Sequence, residues 1–114
     1  MAVQDQLLIG VRLYKGRAVL SLRGELDLAS APLLQAEIES SQISSAAMLV
    51  LDLQELKFID STGLRVLLAA HESSRERGQQ FAVTRGSPQV QRLLSITGVG
   101  EHIRIISPDD ETLV

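Results

Sequence analysis

Apolar positions along the chain switch repeatedly between a period of two and a period of three or four. That alternation is the signature of strands interleaved with helices. Residues 7–14 and 18–22 are rich in apolar side chains, and Lys15-Gly16 between them suits a tight turn because Gly accepts positive φ. The pattern predicts an N-terminal β-hairpin. In its second strand Ala18, Leu20 and Leu22 face one way, and Val19, Ser21 and Arg23 the other. One face is expected to be buried and the other partly wet. Gly24-Glu25-Leu26-Asp27 closes that strand. Pro32 fits the first turn of a helix reaching about Ser41, with Leu33, Leu34 and Ile38 on one face. Residues 40–45 read as a polar connection.

Met48-Leu49-Val50-Leu51 is continuously apolar, as expected of a strand buried on both faces in a parallel sheet. It closes at Asp52-Leu53, and a short link through Phe58-Ile59 follows. From Leu64 the pattern is helical, with Leu64, Leu67, Leu68 and His71 on one face. That helix is expected to end near Arg77, with Gly78 after it. Phe81-Ala82-Val83 reads as a short strand. Ser87-Pro88 reads as a cap and a first helical residue, followed by Val90, Leu93, Leu94 and Thr97 at helical spacing, with Gly98 as the stop. Residues 103–106 suit a last short strand, and residues 108–114 a frayed tail. The order predicts one α/β domain over 1–114, its core spanning about 7–107: a mixed sheet of four to five strands covered by helices.

Composition narrows the function more than the fold. At 114 residues the chain is long enough to bury a core without staples, and it has no Cys for a disulfide, a thiolate metal site or a Cys nucleophile. Three aromatics, Tyr14, Phe58 and Phe81, are too few for a base-stacking platform. The net charge of −3 argues against a partner bound through its phosphate backbone, so no direct nucleic-acid contact is expected. Apolar runs stop at about six residues, against the ~20 that span a bilayer. No signal-peptide pattern follows Met1, so a soluble, cytoplasmic protein without membrane contact is expected.

Catalytic signals are weak. There is no G-x-x-x-x-G-K-[ST] loop and no G-x-G-x-x-G fingerprint, and Gly98-Val99-Gly100 follows a helix rather than a strand. His71 and His102 lie far apart without a ligand at metal spacing. His71, on an apolar face, reads as a packed, hydrogen-bonded side chain and His102 as a loop residue. Ser61 is not in a nucleophile elbow, and His71 sits ten residues further along the same rod, out of reach as its base. No enzyme and no cofactor are expected.

What remains is Phe58-Ile59-Asp60-Ser61-Thr62-Gly63-Leu64, between a buried strand and an apolar helix. Its ordinary role is capping: Asp60 or Ser61 can accept a hydrogen bond from a first-turn amide, a contribution of about 1 kcal/mol. Its functional role would be modification of Ser61, whose hydroxyl stands at an exposed helix tip. A phosphate there adds about −1.5 to −2 charges, which a helix N-terminus tolerates and a docked partner would not. Asp60 is adjacent, and Asp27 would be close if the two loops share a sheet edge.

These residues resemble the STAS domain, specifically the bacterial anti-sigma factor antagonists. The resemblance rests on Gly24-Glu25-Leu26-Asp27, Leu49-Val50-Leu51-Asp52-Leu53 and Phe58-Ile59-Asp60-Ser61-Thr62-Gly63-Leu64, with the helix 87–97 and Gly98-Val99 behind them. It implies helices packed mainly on one side of the sheet. It implies an anti-sigma factor partner that is itself a GHKL-type serine kinase, which phosphorylates the residue matching Ser61, and a serine phosphatase that resets it. Asp27, Asp60, Ser61, Thr62 and Gly63 are the implied partner-binding positions, and ATP and magnesium belong to the kinase. Thr62 stands where many relatives have a second serine, which leaves the choice of hydroxyl open. A non-catalytic STAS subunit of another assembly, such as a phospholipid-transport complex, is the alternative. A whole protein rather than a transporter tail is expected, which sets an anion-transporter regulator aside.

Overall fold

The computed structural model describes residues 6–107, so the tail expected at 108–114 lies outside the described residues. The elements are β1 (Leu8–Tyr14), β2 (Arg17–Leu26), α1 (Ala31–Glu39), the single turn α2 (Ser41–Ser44), β3 (Met48–Ile59), α3 (Ser61–Glu76), β4 (Gln80–Thr84), α4 (Pro88–Thr97) and β5 (Ile105–Ile106). A 3₁₀ turn, Val99–Glu101, follows α4. The five strands form one mixed sheet in the order β1-β2-β3-β4-β5. The predicted hairpin pairs β1 antiparallel to β2, from Leu8↔Arg23 to Tyr14↔Arg17, around a turn in which Lys15 and Gly16 both have positive φ. Such turns follow the natural twist of the strands they join. The remaining pairs, β2–β3, β3–β4 and β4–β5, are parallel.

The alternation in β2 comes out as read. Ala18, Leu20 and Leu22 enter the main core with Leu49, Leu51 and Leu53 of β3, and so do Leu34, Ile38, Leu64, Leu67, Val90 and Leu94 of the helices. Val19 joins Met48, Val50, Ala82 and Ile106 in a smaller cluster on the opposite face. Residues 48–51 are therefore buried on both faces, and the helical contribution to the core lies on one side of the sheet.

Three expectations need correction. First, β3 does not close at Leu53 but runs to Ile59. Its pairing with β2 slips twice, between Ser21 and Arg23 and between Gly24 and Glu25, and each time β3 carries one residue more than β2. These are β-bulges, and they change the spacing of core residues from Leu49, Leu51, Leu53 to Leu53, Leu56, Ile59. A strand with spacing three no longer looks like a strand. Second, Leu33 does not share the buried face of α1; it is 54% exposed, and Ala31 packs inward with Leu34 and Ile38 instead. Leu68 of α3 likewise lies at the margin, 37% exposed, while Val66 and Ala70 are buried. Third, the connection 40–45 contains α2, whose Ile43 is fully buried.

That connection is held by Gln79, which no sequence signal singled out. Gln79 Nε2 donates to the carbonyls of Ile43 and Ala46, both at 2.9 Å, and its Oε1 accepts from Ser74 Oγ at 2.7 Å and Arg77 Nη2 at 2.8 Å. A buried amide that uses both ends in this way ties the α2 turn to the far end of α3.

Candidate functional site

β2 and β3 are parallel neighbours with Leu26 opposite Ile59, so the segments leaving them, beginning at Asp27 and Asp60, start side by side at one edge of the sheet. Asp60 has extended backbone and is the N-cap of α3. Its Oδ1 accepts from the Gly63 amide at 2.9 Å, and its Oδ2 accepts from the Leu28 amide at 3.2 Å. The Asp60 amide donates to the Leu26 carbonyl at 3.2 Å, and its carbonyl accepts from the Leu64 amide at 3.0 Å. One residue thus closes the first turn of α3 and clamps it to the β2–α1 loop. Of the two capping candidates, the cap is Asp60.

Asp27 shapes the other half of the edge. Its Oδ1 accepts from the amides of Ala29 and Ser30, both at 3.0 Å. Its own amide donates to Ser30 Oγ at 2.9 Å, and that hydroxyl reaches the Glu25 carbonyl at 2.8 Å. Asp27 is therefore the organiser of the β2–α1 turn, half-buried within it. Gly63 is buried in the first turn of α3, where a Cβ would lie 2.7 Å from both the Leu26 carbonyl oxygen and Ile59 Cγ1. A side chain at 63 would push the helix tip off the end of β2.

Ser61 is the first residue of α3 and is exposed, and its hydroxyl makes no hydrogen bond among the described residues. The amides of Ser61 and Thr62 precede any intrahelical acceptor. Thr62 is half-buried and turns into a shallow groove of about 300 Å³ between α1 and α3. Leu28, Ala31, Pro32, Arg65 and Val66 line it with Thr62. Leu28, held by Asp60 through its amide, is 73% exposed. The edge therefore joins a free hydroxyl, two carboxylates engaged by backbone amides, an apolar groove and one guanidinium.

The structure brings Asp27, Asp60, Ser61, Thr62 and Gly63 together and leaves both histidines elsewhere. His71 packs against Phe81 with ring centroids 5.9 Å apart, and its Nδ1 is buried without a hydrogen bond among the described residues. It is packed as expected, but not hydrogen-bonded at that atom. His102 is exposed after the 3₁₀ turn. Among the described residues no group of three or more His, Asp or Glu could hold a metal, and no helix is long and apolar enough to cross a membrane. Arg65 was missed by sequence reasoning; its signal, a cation one helical turn after Ser61, is legible only once the helix is known to begin at Ser61.

The double role of Asp60 has a measurable size. Asp60→Ala removes a cap and frees the Leu28 amide, and it is expected to lower stability by about 1–2 kcal/mol, while Ser61→Ala changes it by less than about 0.5. Urea unfolding of the two variants checks this. Equal losses would mean that Ser61 shares the capping.

The sequence pattern of the STAS domain matches residues 9–111. An anti-sigma-B factor antagonist of Listeria monocytogenes is 34% identical over 88 residues, 77% of each chain. The anti-sigma-F factor antagonist RsfB of Mycobacterium tuberculosis is 32% identical over 107 residues, 94% of this chain and 87% of that one. The crystal structure of an anti-sigma factor antagonist from Mycobacterium paratuberculosis superposes with a TM-score of 0.86 at 28% identity, covering 99% of this chain and 96% of the other. With the fold, the loop motifs and these likenesses in agreement, the chain belongs to the STAS domain family, among relatives named as anti-sigma factor antagonists.

Proposed function

We propose that this protein is an anti-sigma factor antagonist switched by phosphorylation of Ser61. Unmodified, it docks through the edge formed by the β2–α1 loop and the tip of α3 onto an anti-sigma factor with GHKL-type serine kinase activity, and a sigma factor is released. The kinase then uses its own bound ATP. Ser61 Oγ attacks the γ-phosphorus, the bond to the β-phosphate oxygen breaks, ADP leaves, and the hydroxyl proton passes to a base of the kinase. A serine phosphatase restores the hydroxyl by hydrolysis to inorganic phosphate. The chain is the substrate in this cycle and needs no cofactor of its own.

One observation carries the reading. Capping, the ordinary task of a serine at such a position, is performed by Asp60, so the Ser61 hydroxyl is exposed with no structural duty. Thr62, half-buried at the groove, is the less accessible hydroxyl. The remaining positions have supporting parts: Asp27 and Asp60 fix the two loops, and Gly63 lets them approach. Leu28 and the apolar groove beside it offer a partner contact area next to the reacting group.

The test is incubation with the cognate kinase and ATP, followed by peptide mass spectrometry. Ser61→Ala is expected to abolish phosphorylation and to keep partner binding within about threefold, a difference of under 1 kcal/mol. Undiminished modification of Ser61→Ala at Thr62 would move the site by one residue. Capture of transporter subunits instead of a kinase from the native extract would replace this reading with that of a STAS subunit in a transport assembly.

A further inference from the structure

Arg65 is four residues after Ser61 on α3, which places the two side chains on one face of the helix, with Cβ atoms about 5–6 Å apart. It is exposed, and it makes no hydrogen bond or ion pair among the described residues. It borders the α1–α3 groove, whose α1 residues, Ala31, Pro32 and Gln35, carry no charge. The carboxylates of the same edge, Asp27 and Asp60, are each held by backbone amides. An unpaired guanidinium therefore stands one turn from the hydroxyl at the helix tip.

We infer that Arg65 is the internal partner of the phosphate on Ser61: the phosphorylated form pairs the Arg65 guanidinium with the phosphoserine one turn away. The inference rests on the reading of Ser61 as the modified residue and adds how the modified state is held. A guanidinium presents a planar fork of N–H donors that matches two phosphate oxygens, and arginine reaches this distance within a single helix. Among the described residues that line the groove, no other carries a charge. In the unmodified protein the same guanidinium is free at the rim of the apolar groove, available to an acidic group of a docked partner. Phosphorylation then does two things at once. It places a dianion at the contact, and it withdraws from that contact the cation that borders the groove. The switch needs only a side-chain rotation, and the backbone of α3 can stay in place.

The experiment installs phosphoserine at position 61 by genetic-code expansion, so no kinase is required, and follows its phosphorus resonance through a pH titration. Exposed phosphoserine has its second pKa near 6, and a neighbouring cation favours the dianion and lowers that value. Asp60, next to the phosphate, acts alike in every variant, so the expected result is a midpoint lower in the otherwise natural chain than in Arg65→Gln, with Arg65→Lys between them. The lowering is expected to shrink in molar salt, as an exposed pair is screened. Superimposable titration curves for the natural chain and Arg65→Gln would overturn the inference. Arg65 is exposed, so both variants are expected to fold, which a melting curve confirms. Failure of the kinase to modify Ser61 would refute the proposed function and leave this titration untouched. Identical titrations would refute the Arg65 pairing and leave the proposed function standing.

Discussion

Phosphoserine at position 61 is expected to weaken binding to the anti-sigma factor by about a thousandfold, close to 4 kcal/mol, while moving the melting midpoint of the free domain by only a few degrees. The two halves of this expectation have different physical causes. In the free protein the phosphate is exposed, sits at a helix N-terminus and meets Arg65, so the fold has little to lose. In the complex the same group is pressed into a contact beside Asp60, close to the loop organised by Asp27. A like-charge term between exposed groups would supply only about 1 kcal/mol in water. Burying a dianion without a full set of partners costs several kcal/mol, and that is the larger effect. Titration calorimetry of both forms, beside their melting curves, measures the ratio. Equal affinities would remove the switch. A ratio near ten that vanishes in salt would show that the phosphate stays at the rim of the contact.

Gly63→Ala is expected to lower the melting midpoint by roughly 10–15 °C, corresponding to about 2–3 kcal/mol in a domain of this size. Helix propensity alone points the other way, since Ala is favoured over Gly inside a helix by up to about 1 kcal/mol. The steric term decides. The added Cβ would sit 2.7 Å from the Leu26 carbonyl oxygen and from Ile59 Cγ1, a backbone atom and a fully packed side chain that cannot both withdraw. The helix tip must lift, which lengthens the bonds from the Gly63 and Leu28 amides to Asp60. Gly78→Ala is the control: unlike Gly63, that position has φ of +73°, and no atom lies within 4 Å of the added Cβ, so only the left-handed backbone resists, by about 1–2 kcal/mol. Differential scanning calorimetry separates the two. A Gly63→Ala chain as stable as the natural one would mean that α3 approaches β2 less closely than described.

How much of this was legible in the sequence depends on how local each cause is. The hairpin, the strand buried on both faces and the capped helix 88–97 are written in neighbouring residues, and they were readable. Ser61 and Asp60 were readable as a pair of capping candidates, but the division of labour between them was not. The cap bond itself is local, from the Gly63 amide, but the clamp that gives Asp60 its second duty comes from the Leu28 amide, 32 residues away in the chain. The role of Asp27 was half legible: its closeness to the α3 tip follows from parallel strands, whereas its engagement by Ala29 and Ser30 makes it an organiser of the loop first. Gln79 was invisible, because its two carbonyl partners lie on α2 and just after it, and nothing separates it from Gln80 by type. The end of β3 was misread because a bulged strand borrows the spacing of a helix.

Those two bulges set the reach of the molecule. β3 uses 12 residues where β2 uses 10 to arrive at the same edge. Each bulge absorbs one extra residue and keeps the next core residue facing inward, so the spacing of three from Leu53 to Leu56 and from Leu56 to Ile59 does what a spacing of two does in the regular part of the strand. Removing one extra residue with its bulge would leave Ile59 on the core face, and removing both would give a regular ladder with the segment 54–58 drawn straight. The surplus thus acts as a spacer with a unit of one: each bulge holds a single extra residue between Leu53 and Ile59 without unseating the core. A change in that surplus would alter how the tip of α3 is presented, while the sheet beneath it stays the same.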